Sequence, residues 1–279
     1  MLYPQRTINC NGILLDLTTP VVMGILNVTP DSFYDGGKYS DEKSIFEQVE
    51  KMLQEGAEIV DIGAMSSRPG ATILSEETEK ERLLPVIRML KKNFPDLILS
   101  VDTWRSEIAL AAITEGAGII NDISGGQYDS KLFETVADMK NIPMVLMHIP
   151  GKPEEMHKIQ HFEDVCEEVI RYFVEKAGQL RALGVKDIIL DPGFGFGKSL
   201  SDNYTLLKNM HVFKILEMPL LAGLSRKSMI YKALDTTAAD ALNGTTALHM
   251  VALQQGANIL RAHDVKAATE TIKLHKLVS

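Results

Sequence analysis

Eight short apolar runs in this 279-residue sequence stop on residues that can do chemistry. In order, their ends offer Asn27, then Ser66, Ser67 and Arg68, then Asp102, Asn121, His148, Asp191, the run Ser225-Arg226-Lys227-Ser228, and finally Arg261 with His263. One Asp or Asn after a strand is more commonly a helix cap or turn residue than a ligand, and Asp61 and Asp122 are read that way. Eight polar ends converging on one mouth are harder to explain by capping, because desolvated carboxylates are costly unless partners are supplied. The groups divide by chemistry. Asp102, Asn121 and Asp191 offer acceptors to a flat heterocycle with adjacent N–H groups, whereas Arg68, Arg261 and His263, with Asn27, offer donors to a phosphate or diphosphate. His157, His161, His211 and His275 read as solvated surface residues.

Two nucleotide-binding patterns nearly occur, both in Asp191-Pro-Gly-Phe-Gly-Phe-Gly-Lys-Ser199. A phosphate-binding P-loop needs glycine where Pro192 stands, so its backbone donors would be misplaced. A dinucleotide fingerprint needs a different glycine spacing after an early strand. The segment reads instead as a flexible strand-to-helix loop.

The elements that must position these residues follow a phrase that occurs four times: a glycine closes a helix, and an apolar strand follows that ends on a polar residue. Gly56, Gly116, Gly184 and Gly256 begin the copies, 60, 68 and 72 residues apart. Each glycine suits the left-handed position after a helix. These intervals are about twice one βαβ step, so each should hold one further strand. Leu97 to Asp102, Pro143 to Met147 and Pro219 to Ala222 supply them, and Val21 to Asn27 precedes all, as buried parallel strands would. Amphipathic helices are predicted between, with Ile45, Phe46, Val49, Met52 and Leu53 on one face and Phe162, Val165, Cys166, Val169, Ile170 and Phe173 on another. Pro85 is expected to kink or split the second helix. The pattern predicts an α/β protein, a (β/α)₈ TIM barrel with an N-terminal hairpin at Ile8 to Leu15 around Asn11-Gly12, forming a single domain over residues 1–279. A doubly wound open sheet is the alternative.

Composition limits the function. Hydrophobic residues at 45% and charged residues at 24% describe a globular chain, and a net charge of −8 disfavours broad contact with nucleic acid or an anionic membrane. No stretch reaches the roughly 18 apolar residues of a membrane helix, and Met1 to Leu17 lacks the form of a signal peptide. Cys10 and Cys166 are too few and too distant for a disulfide framework or zinc site, so a cytoplasmic location is expected.

Seven longer segments carry a resemblance. Met23-Gly-Ile-Leu-Asn-Val-Thr-Pro-Asp-Ser-Phe33 through Gly36-Gly37, Ser67-Arg-Pro-Gly70, Ser100-Val-Asp-Thr103, Ile120-Asn-Asp-Ile123, Leu190 to Lys198, Ser225-Arg-Lys-Ser228 and Arg261-Ala-His-Asp-Val265 resemble, in order, the motifs of the dihydropteroate synthases. The resemblance covers nearly the whole chain. It implies a pterin-binding TIM barrel of folate biosynthesis that condenses 6-hydroxymethyl-7,8-dihydropterin diphosphate with 4-aminobenzoate, giving 7,8-dihydropteroate and diphosphate. By resemblance, Asp102, Asn121, Met147, Asp191, Phe196, Gly223, Lys227 and Arg261 hold the pterin. Asn27, Ser67, Arg68, Arg261 and His263 hold the diphosphate, and Asn27 reaches a Mg²⁺. Phe33, Pro69, Lys227 and Ser228 shape the aminobenzoate site, Ser228 standing where a helix should begin. Asp102, Lys227, Arg261 and His263 are the expected catalytic groups. The family's mechanism is dissociative. Loops Thr29 to Ser40 and Met65 to Ser75, rich in Gly and Ser, are expected to be mobile without ligands and to close once the diphosphate is bound. The resemblance also implies a homodimer built on outer helices, and a sulfonamide target.

Two departures stand out. Where the family commonly reads Gly-Gly-Glu-Ser-Thr-Arg, this chain has Gly63-Ala-Met-Ser-Ser-Arg68, and Trp104 follows the third strand as a packing residue. A related methyltransferase passing a methyl group from a folate to a corrinoid protein would share the pterin acceptors. It would not need Ser67-Arg68-Pro69 or Ser225 to Ser228. A pterin-binding protein without turnover would not need Lys227, Arg261 and His263 intact.

Overall fold

A computed structural model describes residues 6–28, 38–65, 73–151 and 158–279. Phe33, Ser66, Ser67, Arg68 and Pro69, with most of the two expected closing loops, lie outside the described residues.

The first element is an antiparallel hairpin, β1 (Thr7–Cys10) and β2 (Ile13–Asp16). Asn11 and Gly12 join its strands at φ 53° and 94°, the two left-handed positions of a tight primed turn. Eight parallel strands follow: β3 (Val21–Asn27), β4 (Ile59–Gly63), β5 (Ile98–Asp102), β6 (Ile119–Asp122), β7 (Met144–Met147), β8 (Ile188–Asp191), β9 (Leu221–Ala222) and β10 (Ile259–Ala262). Each pairs with its neighbour in sequence, and β10 returns to β3. The circle closes through a bridge between Leu190 and Leu220, so the sheet is a barrel and not an open doubly wound sheet.

Side chains alternate across each strand, and this parity sorts the interior into layers. Val21, Ile59, Ile98, Ile119, Val145, Ile189, Leu221 and Ile259 form an apolar floor, covered from below by Ile8, Cys10, Leu15 and Leu17 of the hairpin region. Two residues further along the same inward faces stand Asp61, Ser100, Asn121, Met147, Asp191, Gly223 and Arg261. Gly63 and Asp102 come two residues later again. The barrel therefore changes from hydrocarbon to hydrogen-bonding groups within one strand step, and the change falls toward the carboxyl ends.

The helices pack their apolar stripes on the outer face of the barrel. In α1 (Lys38–Gln54), Ile45, Val49 and Met52 are buried as expected, and α5 (Val165–Ala182) buries Val165, Val169 and Phe173. Phe162 lies just before α5, not within it. The second helix, α2 (Glu76–Asn93), runs unbroken through Pro85, which corrects the expected split. Pro85 lies on the exposed face between buried Leu84 and Val86, where water can serve the carbonyl that loses its partner.

Candidate active site

Register does much of the assembly. Asp102 pairs with Asn121 across β5 and β6, Met147 with Asp191 across β7 and β8, and Asp61 with Ser100 across β4 and β5. At their centre lies Arg261, whose Nε donates to Asp61 Oδ2 at 2.7 Å and whose Nη2 donates to Asp102 Oδ2 at 3.1 Å. Asn121 Nδ2 donates to the same Asp61 oxygen at 2.9 Å, and Ser100 Oγ donates to Asp61 Oδ1 at 2.6 Å.

Asp61 is thus neither a cap nor a turn residue, which corrects the sequence expectation. Its side chain is fully buried within β4 and ion-paired. Strand parity was the signal that could have found it, because counting by twos from the buried Ile59 points Asp61 inward. Asp122 has the opposite parity to Asn121 and behaves as expected, accepting the backbone N–H groups of Ser124 and Gly126 in the following turn.

A second set surrounds Asp191. Lys227 Nζ donates to the Phe194 carbonyl at 2.6 Å and sits 4.6 Å from the centre of the Phe196 ring. A methyl group at Gly223 would come within 3.4 Å of Asp191 Oδ2 and 3.8 Å of Lys227 Nζ, so the glycine keeps this corner open. Burial lowers the Lys227 pKa to about 8 although Asp191 opposes it, and burial raises that of Asp191 against the pull of Lys227. Asp102 is pushed up to about 7, again by burial first; Arg261 opposes the rise and Asp61 adds to it. For Arg261 burial disfavours the charge, but Asp61 and Asp102 outweigh it and hold the guanidinium above its ordinary range.

The loop after β8 is not a loose connection. Lys198, 5% exposed, donates to the carbonyls of His148, Gly193 and Phe196 at 3.3, 3.0 and 3.2 Å. Its ammonium is turned inward onto backbone oxygens, which rules out the P-loop role and corrects the expected flexibility. Gly193, at φ 71°, passes so close to His148 that a methyl group there would stand 2.0 Å from that carbonyl oxygen.

His263 lies at the barrel rim beside Ser225. Ser225 Oγ accepts the His263 backbone N–H at 3.2 Å and stands 3.1 Å from Nδ1. Ser228 opens α7 (Ser228–Tyr231), as expected, but this helix is a single turn. A helix this short offers an anion only local N–H and hydroxyl donors, since a macrodipole needs length. Asn27 ends β3 beside Gly63. His148 is buried behind the barrel mouth against Tyr172 and Phe162, and burial, then Lys198, pushes its pKa well down, so it stays a neutral packing residue.

Met147 and Phe196 form an apolar cluster with Trp104, Ile123 and Ile149, and Met65 and Tyr128 pack against it. Trp104 is a packing residue, as expected, but one that shares a cluster with the expected pterin wall. Met65, which replaces the family's usual glutamate, lies against the same cluster.

A parallel barrel whose carboxyl-end mouth joins an apolar wall to carboxylates, an arginine and a lysine defines a pterin-binding barrel enzyme. A family model described as pterin binding enzyme matches residues 23–263. The chain is 42% identical over 265 residues to dihydropteroate synthase of Escherichia coli K12, covering 94% of this chain and 93% of that protein. It superposes on a Xanthomonas albilineans dihydropteroate synthase solved with 4-aminobenzoic acid at a TM-score of 0.91, with 39% identity and 98% of each chain covered. A Yersinia pestis dihydropteroate synthase in a sulfonamide drug complex matches at a TM-score of 0.90, with 38% identity and the same coverage of both. The chain belongs to the dihydropteroate synthases. It is a transferase of folate biosynthesis that joins 6-hydroxymethyl-7,8-dihydropterin diphosphate to 4-aminobenzoate. Among the described residues no helix is long and apolar enough to cross a membrane.

Proposed function

We propose that the mouth divides its two tasks between the two sets of side chains. Asp102, Asn121 and Asp191 accept the pterin's N–H groups, Lys227 donates to its ring nitrogen and carbonyl, and Met147, Phe196 and Gly223 leave a flat slot for its rings. Arg261 and His263, with Asn27, Ser67 and Arg68, receive the diphosphate, and Phe33, Pro69, Lys227 and Ser228 receive 4-aminobenzoate. The observation that carries this reading is the hydrogen-bonded set Asn121–Asp61–Arg261–Asp102, which joins acceptors and a cation in one rigid unit.

The chemistry asked of such a site is separation of charge. As the bond between the pterin methylene and the diphosphate lengthens, positive charge spreads over the dihydropterin, near the carboxylates, and negative charge collects on the diphosphate, near Arg261 and His263. Fixed charges already in place stabilise both without reorganising. The arylamine then attacks the methylene, and positioning serves this step better than a strong base.

Mg²⁺ is part of the proposal. Among the described residues no three His, Cys, Asp or Glu side chains gather as a metal cage. A hard cation that keeps most of its waters and arrives on diphosphate oxygens needs no cage, and the Asn27 amide oxygen has the right chemistry to join its shell. When bound, the ion neutralises the leaving group.

The exposed Leu242 of α8 (Leu242–Gln254) and Leu274 and Leu277 of the adjoining α9 (Val265–Val278) support a homodimer on outer helices. The Yersinia complex supports sulfonamides as occupants of the aminobenzoate site. The test is titration of 4-aminobenzoate with and without Mg²⁺ diphosphate. Tighter binding in its presence is expected, because the anion would order the second site beforehand. Equal affinities would overturn the ordered assembly.

A further inference from the structure

Asp61 makes no use of the cap or turn geometry expected of it, and a fully buried carboxylate must be compensated by its neighbours. Its three donors come from three other strands: Ser100 from β5, Asn121 from β6 and Arg261 from β10. Two of them belong to opposite halves of the proposed site.

Each bond removes a freedom that matters. Asn121 can present either end of its amide, and donating Nδ2 to Asp61 leaves Oδ1 as the acceptor for a ligand N–H. Arg261 could swing about its long stem, and the bond from Nε to Asp61 with that from Nη2 to Asp102 sets the plane of the guanidinium. We infer that Asp61 is a positioning residue for the transfer reaction, holding the acceptor of Asn121 toward the pterin and the fork of Arg261 between pterin and diphosphate. This rests on the assignment of pterin and diphosphate to the two sides of the mouth.

A second consequence concerns charge. Arg261 is shared between Asp61 and Asp102, so Asp102 receives only part of its cation. The groups facing Asp102 are Arg261 from β10, Asp61 from β4, Glu79 from α2, Asp122 from β6 and Lys227 after β9. Removing the Asp61 charge while keeping its shape takes away one of the two carboxylates paired with Arg261, so more of the cation's field acts on Asp102.

Asp61→Asn and Asp61→Ala separate these effects. An asparagine can direct its oxygen at Arg261 and Asn121 and its amide nitrogen at Ser100 Oγ, whose hydroxyl turns to accept. Asp61→Ala provides neither. We expect Asp61→Ala to lower kcat by roughly tenfold or more and to raise KM for the pterin diphosphate, and Asp61→Asn to recover most of that loss. In Asp61→Asn the acid limb of the pH–kcat profile should move to lower pH, a change that a purely structural role would not produce.

An unmoved acid limb in Asp61→Asn overturns the inference, even if Asp61→Ala does not fold. So does wild-type kcat in a folded Asp61→Ala. Failure of the underlying assignment looks different: pterin affinity of the wild-type site would then be indifferent to Asp191→Asn, whatever the Asp61 variants do.

Discussion

Ser225 holds His263 at two points, accepting its backbone N–H and standing 3.1 Å from Nδ1 although 38 residues separate them. Together the two contacts fix the imidazole's orientation at the barrel rim, with Nδ1 turned to the serine and Nε2 turned away from it. Ser225→Ala removes both contacts. We expect KM for the pterin diphosphate to rise about fivefold, equivalent to about 1 kcal/mol, while affinity for a pterin lacking the diphosphate stays unchanged. Equal weakening of both ligands would show that the pair serves the whole mouth.

Asp102 gives a prediction with a defined sign. Its folded pKa is raised above the unfolded value by burial, to about 7 from 3.8, so the protein holds this proton more tightly when folded. The contribution to stability is full below pH 4 and is lost as the pH rises through about 7. Asp102→Asn does not suffer that loss. Thermal melts should therefore show the variant gaining on the wild type between pH 5 and pH 8, by about 2 to 4 kcal/mol. A difference that does not change with pH would contradict the cause assigned.

Most of the barrel was legible because each strand is short and apolar, and every second one follows a glycine that a helix end requires. Gly56, Gly116, Gly184 and Gly256 all adopt φ near 100°, as the repeated phrase demands. Asp61 was misread because its meaning depends on Arg261, 200 residues away, and a list of strand ends overlooks a residue inside a strand. The segment Asp191 to Ser199 reads as a flexible loop for a related reason: Gly-rich sequence suggests freedom, and only the folded loop shows three carbonyls converging on Lys198 Nζ. Asp122 was read correctly because its partners, Ser124 and Gly126, are local.

Trp104 is the single tryptophan of the chain and lies in one apolar cluster with Met147 and Phe196. A pterin entering between those side chains should quench its fluorescence. Four-aminobenzoate added alone should not, and Asp191→Asn should shift the quenching titration to higher pterin concentration. Fluorescence indifferent to pterin would place the ligand elsewhere in the mouth.

Lys198→Met keeps the volume and removes the ammonium from three backbone oxygens. The expected cost is about 2 kcal/mol of stability, less than three ordinary charged hydrogen bonds because the buried ammonium is itself poorly solvated. Pterin affinity should fall as well, since the same loop carries the Phe196 ring and the Phe194 carbonyl that holds Lys227. Unfolding in urea and pterin calorimetry on one preparation would check both.

In the proposed mechanism this mouth couples loss of diphosphate from the pterin to capture by the arylamine. The direct measurement follows diphosphate and 7,8-dihydropteroate together after 6-hydroxymethyl-7,8-dihydropterin diphosphate, 4-aminobenzoate and Mg²⁺ are mixed with the enzyme. The two products should appear one for one, in the wild type, and turnover should collapse in Arg261→Ala. Diphosphate release without dihydropteroate, or undiminished turnover after loss of Arg261, would show that the mouth does not couple the two steps.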